Sequence, residues 1–348
     1  MRRHSLAFPL FLTTFGAGAA GCATEPTEAP TSSVRQAIIN GTDSTPAQDA
    51  VVLIRVEGGN VPGGVCTGAL VAPNLVLTAR HCVSAGSDKG FACTQDGVAP
   101  SDAAAAKPGA DYPATSFKIF TGPKAPVDDA TPRAVGKKVI HDKADTLCNH
   151  DLALILLEQS LTDVPLAKMR LGAPAAVGEK LTAVGWGVTT TEQQPSVRKR
   201  RSGITIARVG PAEALPNAEF EVGESICSGD SGGPALLEPS GEIIGVVSRG
   251  GNDKDNDPAN PAKGCVNGTN IYAGVSAFKA LIDGALAEAS GSPSAPAPTG
   301  PGNTGQAAPD ATSGCALATG TSQVPAPWLA GLATTLAALL LRRVRRRA

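Results

Sequence analysis

The chain has 348 residues, a formal net charge of −1 and eight cysteines. A balance so close to neutral, distorted by the arginines at the C-terminus, says little by itself, and nucleic acid is not expected as a partner. The cysteine count points to an oxidising compartment. At the N-terminus Arg2 and Arg3, an apolar run over residues 6–15 and small residues over 16–21 read as an export signal, residues 1–21. Cys22 follows directly, leaving open either lipid attachment at that cysteine or ordinary signal cleavage. Residues 24–36 are rich in Pro, Thr, Ser and Glu, and such a segment buries too little apolar surface to fold.

Beyond residue 38, short apolar runs at 50–56, 70–77, 152–157, 181–184 and 243–247 are separated by Gly, Pro and Asp turns and predict an all-β domain. A helix is predicted only at 276–289, with Phe278, Leu281, Ile282 and Leu286 on one side. Three motifs in this frame carry chemistry: Leu77-Thr78-Ala79-Arg80-His81-Cys82, Asn149-His150-Asp151-Leu152-Ala153-Leu154 and Gly229-Asp230-Ser231-Gly232-Gly233-Pro234. A serine hydroxyl needs a base to take its proton at neutral pH, and imidazole has a suitable pKa, so Ser231 is the candidate nucleophile and His81 the candidate base. The base needs a carboxylate to fix its tautomer, and Asp151, at the head of a buried-strand pattern, fits that role. His4 lies in the targeting segment, and His141 and His150 read as loop or strand-edge residues. Charge developing on a substrate oxygen would be met by the backbone N–H groups of Gly229 and Ser231, provided residue 229 takes a conformation that glycine permits. Asp230, between them, would be a costly buried carboxylate unless a cation reached it.

In this order the motifs resemble those of the chymotrypsin/trypsin family of serine endopeptidases. Ile38-Ile39-Asn40-Gly41 resembles that family's new N-terminus and Gly185-Trp186-Gly187 its second-barrel marker. Val246-Val247-Ser248 and Ile271-Tyr272 resemble the strands walling its specificity pocket, and the match runs in order from residue 38 to about 289. The resemblance implies two antiparallel six-stranded β-barrels dividing near Leu171, an active site in the cleft between them, and a C-terminal helix. It further implies a zymogen with residues 22–37 as propeptide, in which cleavage frees the amine of Ile38 to pair with Asp230. The bond to be cut follows Ala37, so a trypsin-like activator is not expected; self-activation is one hypothesis, and the activating protease is otherwise unnamed. At the pocket floor Ser225 stands where trypsin-like enzymes carry aspartate, with Ser248, Gly250 and Asn270 on the wall. Small or medium uncharged residues are the expected preference, with a wide aromatic pocket as the alternative. Asn270 stands where many relatives have glycine and would shorten or polarise the pocket, and Arg249 stands where relatives often carry an aromatic residue. Cys66 with Cys82 and Cys227 with Cys265 resemble two family disulfides. Cys93 and Cys148 fall in loops near His81 and Asp151, a third pairing that the family pattern does not imply; Cys22 and Cys315 lie outside the domain.

Two other function classes share these residues: an esterase-like hydrolase and a catalytically silent surface binding protein. The presence of His81, Asp151 and Ser231 together argues against the second, and residues 248–250, which resemble the family's peptide-pairing strand, argue against the first. The basic run Arg198-Lys199-Arg200-Arg201 reads as an exposed strand edge. Asp253-Lys254-Asp255-Asn256-Asp257 resembles the start of a calcium loop but lacks the distal glutamate, and no other metal or organic cofactor is expected. Residues 290–327, mostly Pro, Gly, Ala and Ser, read as a flexible stalk. The apolar stretch at 328–341 is followed by Arg342, Arg343, Arg345, Arg346 and Arg347. With Gly314-Cys315, this tail resembles the C-terminal sorting tag of myxobacterial surface proteins, implying envelope sorting machinery as a partner besides protein or peptide substrates. A plain membrane tail anchor is the alternative, and the expected location is the cell surface, the outer envelope or the extracellular space.

Overall fold

The computed structural model describes residues 38–291, apart from 60, 87–90, 99–105, 190–193 and 253–259. The export signal, propeptide, calcium-like run, C-terminal tail and all of the stalk beyond residue 291 therefore lie outside the described residues. Thirteen strands and one helix follow in chain order: β1 (Thr42–Asp43), β2 (Val51–Val56), β3 (Gly64–Ala72), β4 (Leu75–Thr78), β5 (Phe117–Phe120), β6 (Ala134–Ile140), β7 (Ala153–Leu157), β8 (Lys180–Gly185), β9 (Lys199–Val209), β10 (Glu219–Val222), β11 (Pro234–Leu237), β12 (Ile243–Gly251), β13 (Thr269–Gly274) and α1 (Lys279–Ala289). Strands β2-β3-β4-β7-β6-β5 close one barrel; β9-β10-β13-β12-β11-β8 close the second through a β8–β9 pairing, with β1 added on β9. All these ladders are antiparallel.

Strands β2, β4 and β7 of the first barrel are apolar almost without alternation because both of their faces are covered. Along β2, Val52, Ile54 and Val56 join Leu70, Val76, Ile119 and Ile155 in one core. Val51 and Leu53 face the other way, into a core shared with Val184 and Trp186 of the second barrel and Ile282 and Ala285 of α1. Period-2 geometry thus feeds two hydrophobic layers from one strand, and the second layer is what joins the barrels. The run at 70–77 is two strands, broken by a turn at Pro73-Asn74. The C-terminal helix begins as a 3-10 turn, Val275–Phe278, before it becomes α-helical.

The basic run at 198–201 is not an exposed edge. Lys199 and Arg200 pair with β1 on one side and with β8 on the other. Arg198 is fully buried, donating to Ser44 Oγ at 2.9 Å, the Val51 carbonyl at 2.8 Å and Asp49 at 2.7 Å, with its guanidinium 5.4 Å from the Trp186 ring centre. Lys199 pairs with Asp43 at 2.7 Å and Arg201 with Glu224 at 3.3 Å. The sequence pattern missed this because the covering strand is two residues long and carries no periodicity. Replacing Arg198 strips the Val51 carbonyl of its donor, while Asp49 is one-third exposed and can rehydrate. Arg198→Met is therefore expected to cost roughly 2–4 kcal/mol in urea unfolding.

Candidate active site

Strand register brings the first two motifs together. Thr78 at the end of β4 pairs with Ala153 in β7, so the 3-10 turn Arg80–Cys82 that follows β4 lies beside the residues that precede β7. Asp151 is fully buried and accepts from the His81 backbone N–H at 2.9 Å, from His81 Nδ1 at 2.8 Å and from Ser248 Oγ at 2.7 Å. Burial opposes its ionisation, but His81 and these hydrogen bonds outweigh that and hold the carboxyl below the ordinary value of 3.8. With Nδ1 bound to the carboxylate, Nε2 is left as the nitrogen able to exchange a proton with a substrate or nucleophile.

The serine loop is fastened onto that turn from the other barrel. Thr67 of β3 donates its N–H to the Ser231 carbonyl at 2.8 Å and its hydroxyl to the Gly229 carbonyl at 2.9 Å. Thr78 Oγ bonds the Thr67 carbonyl at 3.0 Å. Gly232, at φ +74°, packs so closely that a Cβ there would lie 2.1 Å from Thr78 Oγ1 and 2.7 Å from Ala79 N, two residues before His81. Ser231 and His81 are thus held to the same short segment of the first barrel, which the Cys66–Cys82 disulfide also staples. Gly229 sits at φ +99°, a conformation that strains other residues, and the N–H groups of Gly229 and Ser231 donate to nothing among the described residues. Two such donors beside a serine hydroxyl have the chemistry that a receptor for an oxyanion requires.

Asp230 turns away from Ser231 into the second barrel. Its carboxylate accepts from Gly187 N–H at 2.8 Å and Cys227 N–H at 3.0 Å and meets no cation among the described residues. Burial therefore pushes its pKa up to about 7, against two hydrogen bonds that favour the ionised form. Gly185 and Gly187 make the cradle: a Cβ on either would come within 2.3 Å of a carboxylate oxygen. Ile38 and Ile39 are already buried in this intact chain, Ile38 against Leu181 and Phe220 and Ile39 against Val188 and Cys227.

Ser225 is buried behind the serine loop, and Asn270 reaches over it, donating to the Gly223 carbonyl at 3.0 Å and lying 3.3 Å from Ser225 Oγ. Gly250 faces the Asn270 amide so closely that a Cβ there would lie 2.1 Å from its Oδ1. Ser248 instead faces Asp151, so of the four pocket candidates it is the one bonded to that carboxylate. The disulfides are Cys66–Cys82, Cys93–Cys148 and Cys227–Cys265. His141, its side chain largely buried, pairs with Asp111 at 2.8 Å, and the more exposed His150 pairs with Asp142 at 2.5 Å. The Asp142 hydrogen bond raises the pKa of His150 above its ordinary 6.5. Three contributors were not singled out from the sequence as parts of the site: Thr67, the glycine cradle around Asp230, and Glu219, which receives Arg249. Thr67 adjoins Cys66, a signal that could have drawn notice, whereas Glu219 sits in a strand with no motif around it.

A family model described as Trypsin matches residues 38–282. The chain is 30% identical over 220 residues to the human peroxisomal leader peptide-processing protease, covering 62% of this chain and 30% of that protein. It is 25% identical over 243 residues to a chymotrypsin of Phaedon cochleariae, covering 65% and 78% of the two chains. To snake venom serine protease 3 of Protobothrops flavoviridis it is 28% identical over 210 residues, covering 55% and 69%. It thus spans less than a third of the human relative's length. No helix among the described residues is long and apolar enough to cross a membrane.

The raised pKa of Asp230 has a definite sign. Its favourable contribution to the intact chain is full below the ordinary value of 3.8 and is lost as pH rises through about 7, because the folded state holds a proton that the unfolded state has released. Denaturant unfolding of the intact chain should show this loss between those pH values, and Asp230→Asn should abolish it.

Proposed function

Because the chain belongs to the trypsin family, we propose that it is a serine endopeptidase, with Ser231 as nucleophile, His81 as general base and Asp151 as the carboxylate that orients and stabilises the imidazolium. The observation that carries this reading is the buried Asp151 carboxylate bound to His81 Nδ1, on a segment that also holds the Ser231 loop. Ser231 Oγ attacks the substrate carbonyl as its proton passes to His81 Nε2, and the oxyanion is met by the N–H groups of Gly229 and Ser231. His81 then gives the proton to the leaving amine. Water, deprotonated by the same nitrogen, attacks the acyl-enzyme; the bond to Ser231 Oγ breaks, His81 returns the proton to that oxygen, and the carboxyl product leaves. All these groups belong to the chain, so the reaction needs no cofactor.

The chain is made as a zymogen in this reading. Cleavage after Ala37 replaces an amide at Ile38 by an α-ammonium, and the buried Asp230 receives the cation that it lacks. Seating of Ile38 and Ile39 in the second barrel supports this route. Asn270, lying across the space between Gly250 and Ser225, supports a shallow pocket for small or medium uncharged side chains. Export and retention at the cell surface rest on the sequence of the two termini alone.

An Ala37→Arg chain would let trypsin cut ahead of Ile38. It is expected to hydrolyse a diverse peptide library after Ala, Val and similar residues only once cut, while the same chain carrying Ser231→Ala stays inert in mass-spectrometric product analysis. A cut chain that cleaves small esters but no peptide would favour the esterase reading, and one that does neither would favour a binding protein. Asn270→Gly should deepen the pocket and raise kcat/KM for Leu or Phe ahead of the scissile bond, relative to Ala, on the order of tenfold.

A further inference from the structure

Asp151 is held from two directions by segments that meet again elsewhere. Ser248, whose hydroxyl donates to Asp151, lies at a β-bulge: Val247 pairs with Tyr272 and Arg249 with Ile271, so Ser248 is the extra residue. Bulges re-aim side chains beside active sites. The next residue, Arg249, donates from Nη2 to Glu219 Oε2 at 2.6 Å, with the two side chains 6% and 0% exposed. Glu219 Oε1 accepts the backbone N–H of Asn149 at 3.0 Å, and Asn149 lies two residues before Asp151 at φ +69°. Asn149 Oδ1 in turn accepts the N–H of Ala218 at 2.7 Å. The path from Asp151 through Ser248, Arg249, Glu219 and Asn149 back to Asp151 is therefore a closed ring of hydrogen bonds and short covalent links, and it joins the two barrels.

A buried ion pair contributes little net stability, since desolvation cancels most of its attraction, but it fixes geometry because each partner is costly to strand. We propose that Glu219 and Arg249 are positioning residues for Asp151: the pair clamps both the hydroxyl that the carboxylate accepts and the turn that carries it. Phe91, its ring centre 5.1 Å from the Arg249 guanidinium, lies over the pair. The proposal rests on the catalytic roles given to His81, Asp151 and Ser231 above.

The test uses the full chain cut ahead of Ile38 and an alanine anilide that fills only the primary pocket. The variants are Glu219→Gln, Arg249→Lys, the double variant Glu219→Leu with Arg249→Met, and Asp151→Asn. Glu219→Gln is expected to lower kcat about tenfold or more with KM changed less than about twofold, and to weaken the low-field proton resonance of the His81–Asp151 hydrogen bond. The double variant strands no charge and unpairs only the Asn149 N–H, so its melting temperature falls less than that of a variant lacking one charge, yet it shows the same loss of kcat. Arg249→Lys, which retains the charge, recovers part of kcat. The proposal is overturned if Glu219→Gln and the double variant keep kcat and the resonance whatever their melting temperatures, or if KM alone moves. Asp151→Asn keeps the two ideas apart: it should lose about 10⁴-fold in kcat. No loss there would sink the triad itself, whereas a large loss beside unaffected Glu219 variants would sink only the clamp.

Discussion

A carboxylate placed out of water without a counter-ion governs much of the second barrel. Asp230 has two backbone donors and no cation among the described residues, and burial raises its pKa to about 7. Its position demands glycine at 185 and 187, because a side chain at either would overlap its oxygens. It also fixes the direction of the loop, since a carboxylate turned inward at 230 leaves 231 turned outward and 229 at positive φ with its N–H free. The candidate oxyanion site and the Asp230 carboxylate thus lie on opposite sides of one short loop. A cation supplied at Ile38 would act directly on the charge state of that carboxylate.

The two barrels are joined by a dry layer and by a few polar clasps. Thr67 holds the serine loop with both its N–H and its hydroxyl, and Arg198 reaches from the second barrel to the Val51 carbonyl of the first while covering Trp186. Such contacts add little net energy when made but are costly to break, and each is geometrically demanding. They put the His81 turn and the serine loop in a fixed relation that a hydrophobic layer, being non-directional, would not specify.

The two-barrel architecture was legible from turn-separated apolar runs and ordered motifs, because those motifs carry the family's sequence signature. Local pattern failed where the deciding partner was remote. Arg198 reads as solvated until Asp49, Val51 and Trp186 are folded around it. The apolar run at 70–77 hides a strand break because both arms are equally apolar. Motifs name His81, Asp151 and Ser231, but Glu219 lies 68 residues beyond Asp151 in an unremarkable Glu-Phe-Glu-Val strand, so nothing in the sequence marks it as a neighbour of Asn149. Asn270 could be noted as a departure from glycine, yet only the fold brings its amide to the Gly223 carbonyl and Ser225 Oγ.

The Cys93–Cys148 bridge closes a loop with a sequence separation of 55, and His81 precedes it while Asp151 follows it. A backbone cut between the two cysteines would leave the segments bearing His81 and Asp151 covalently joined. The ends of β4 and β7, paired from Thr78 and Ala153 onward, would hold their register. The span that the bridge closes also carries β5 and β6, so a nick within it need not separate the parts of the barrel.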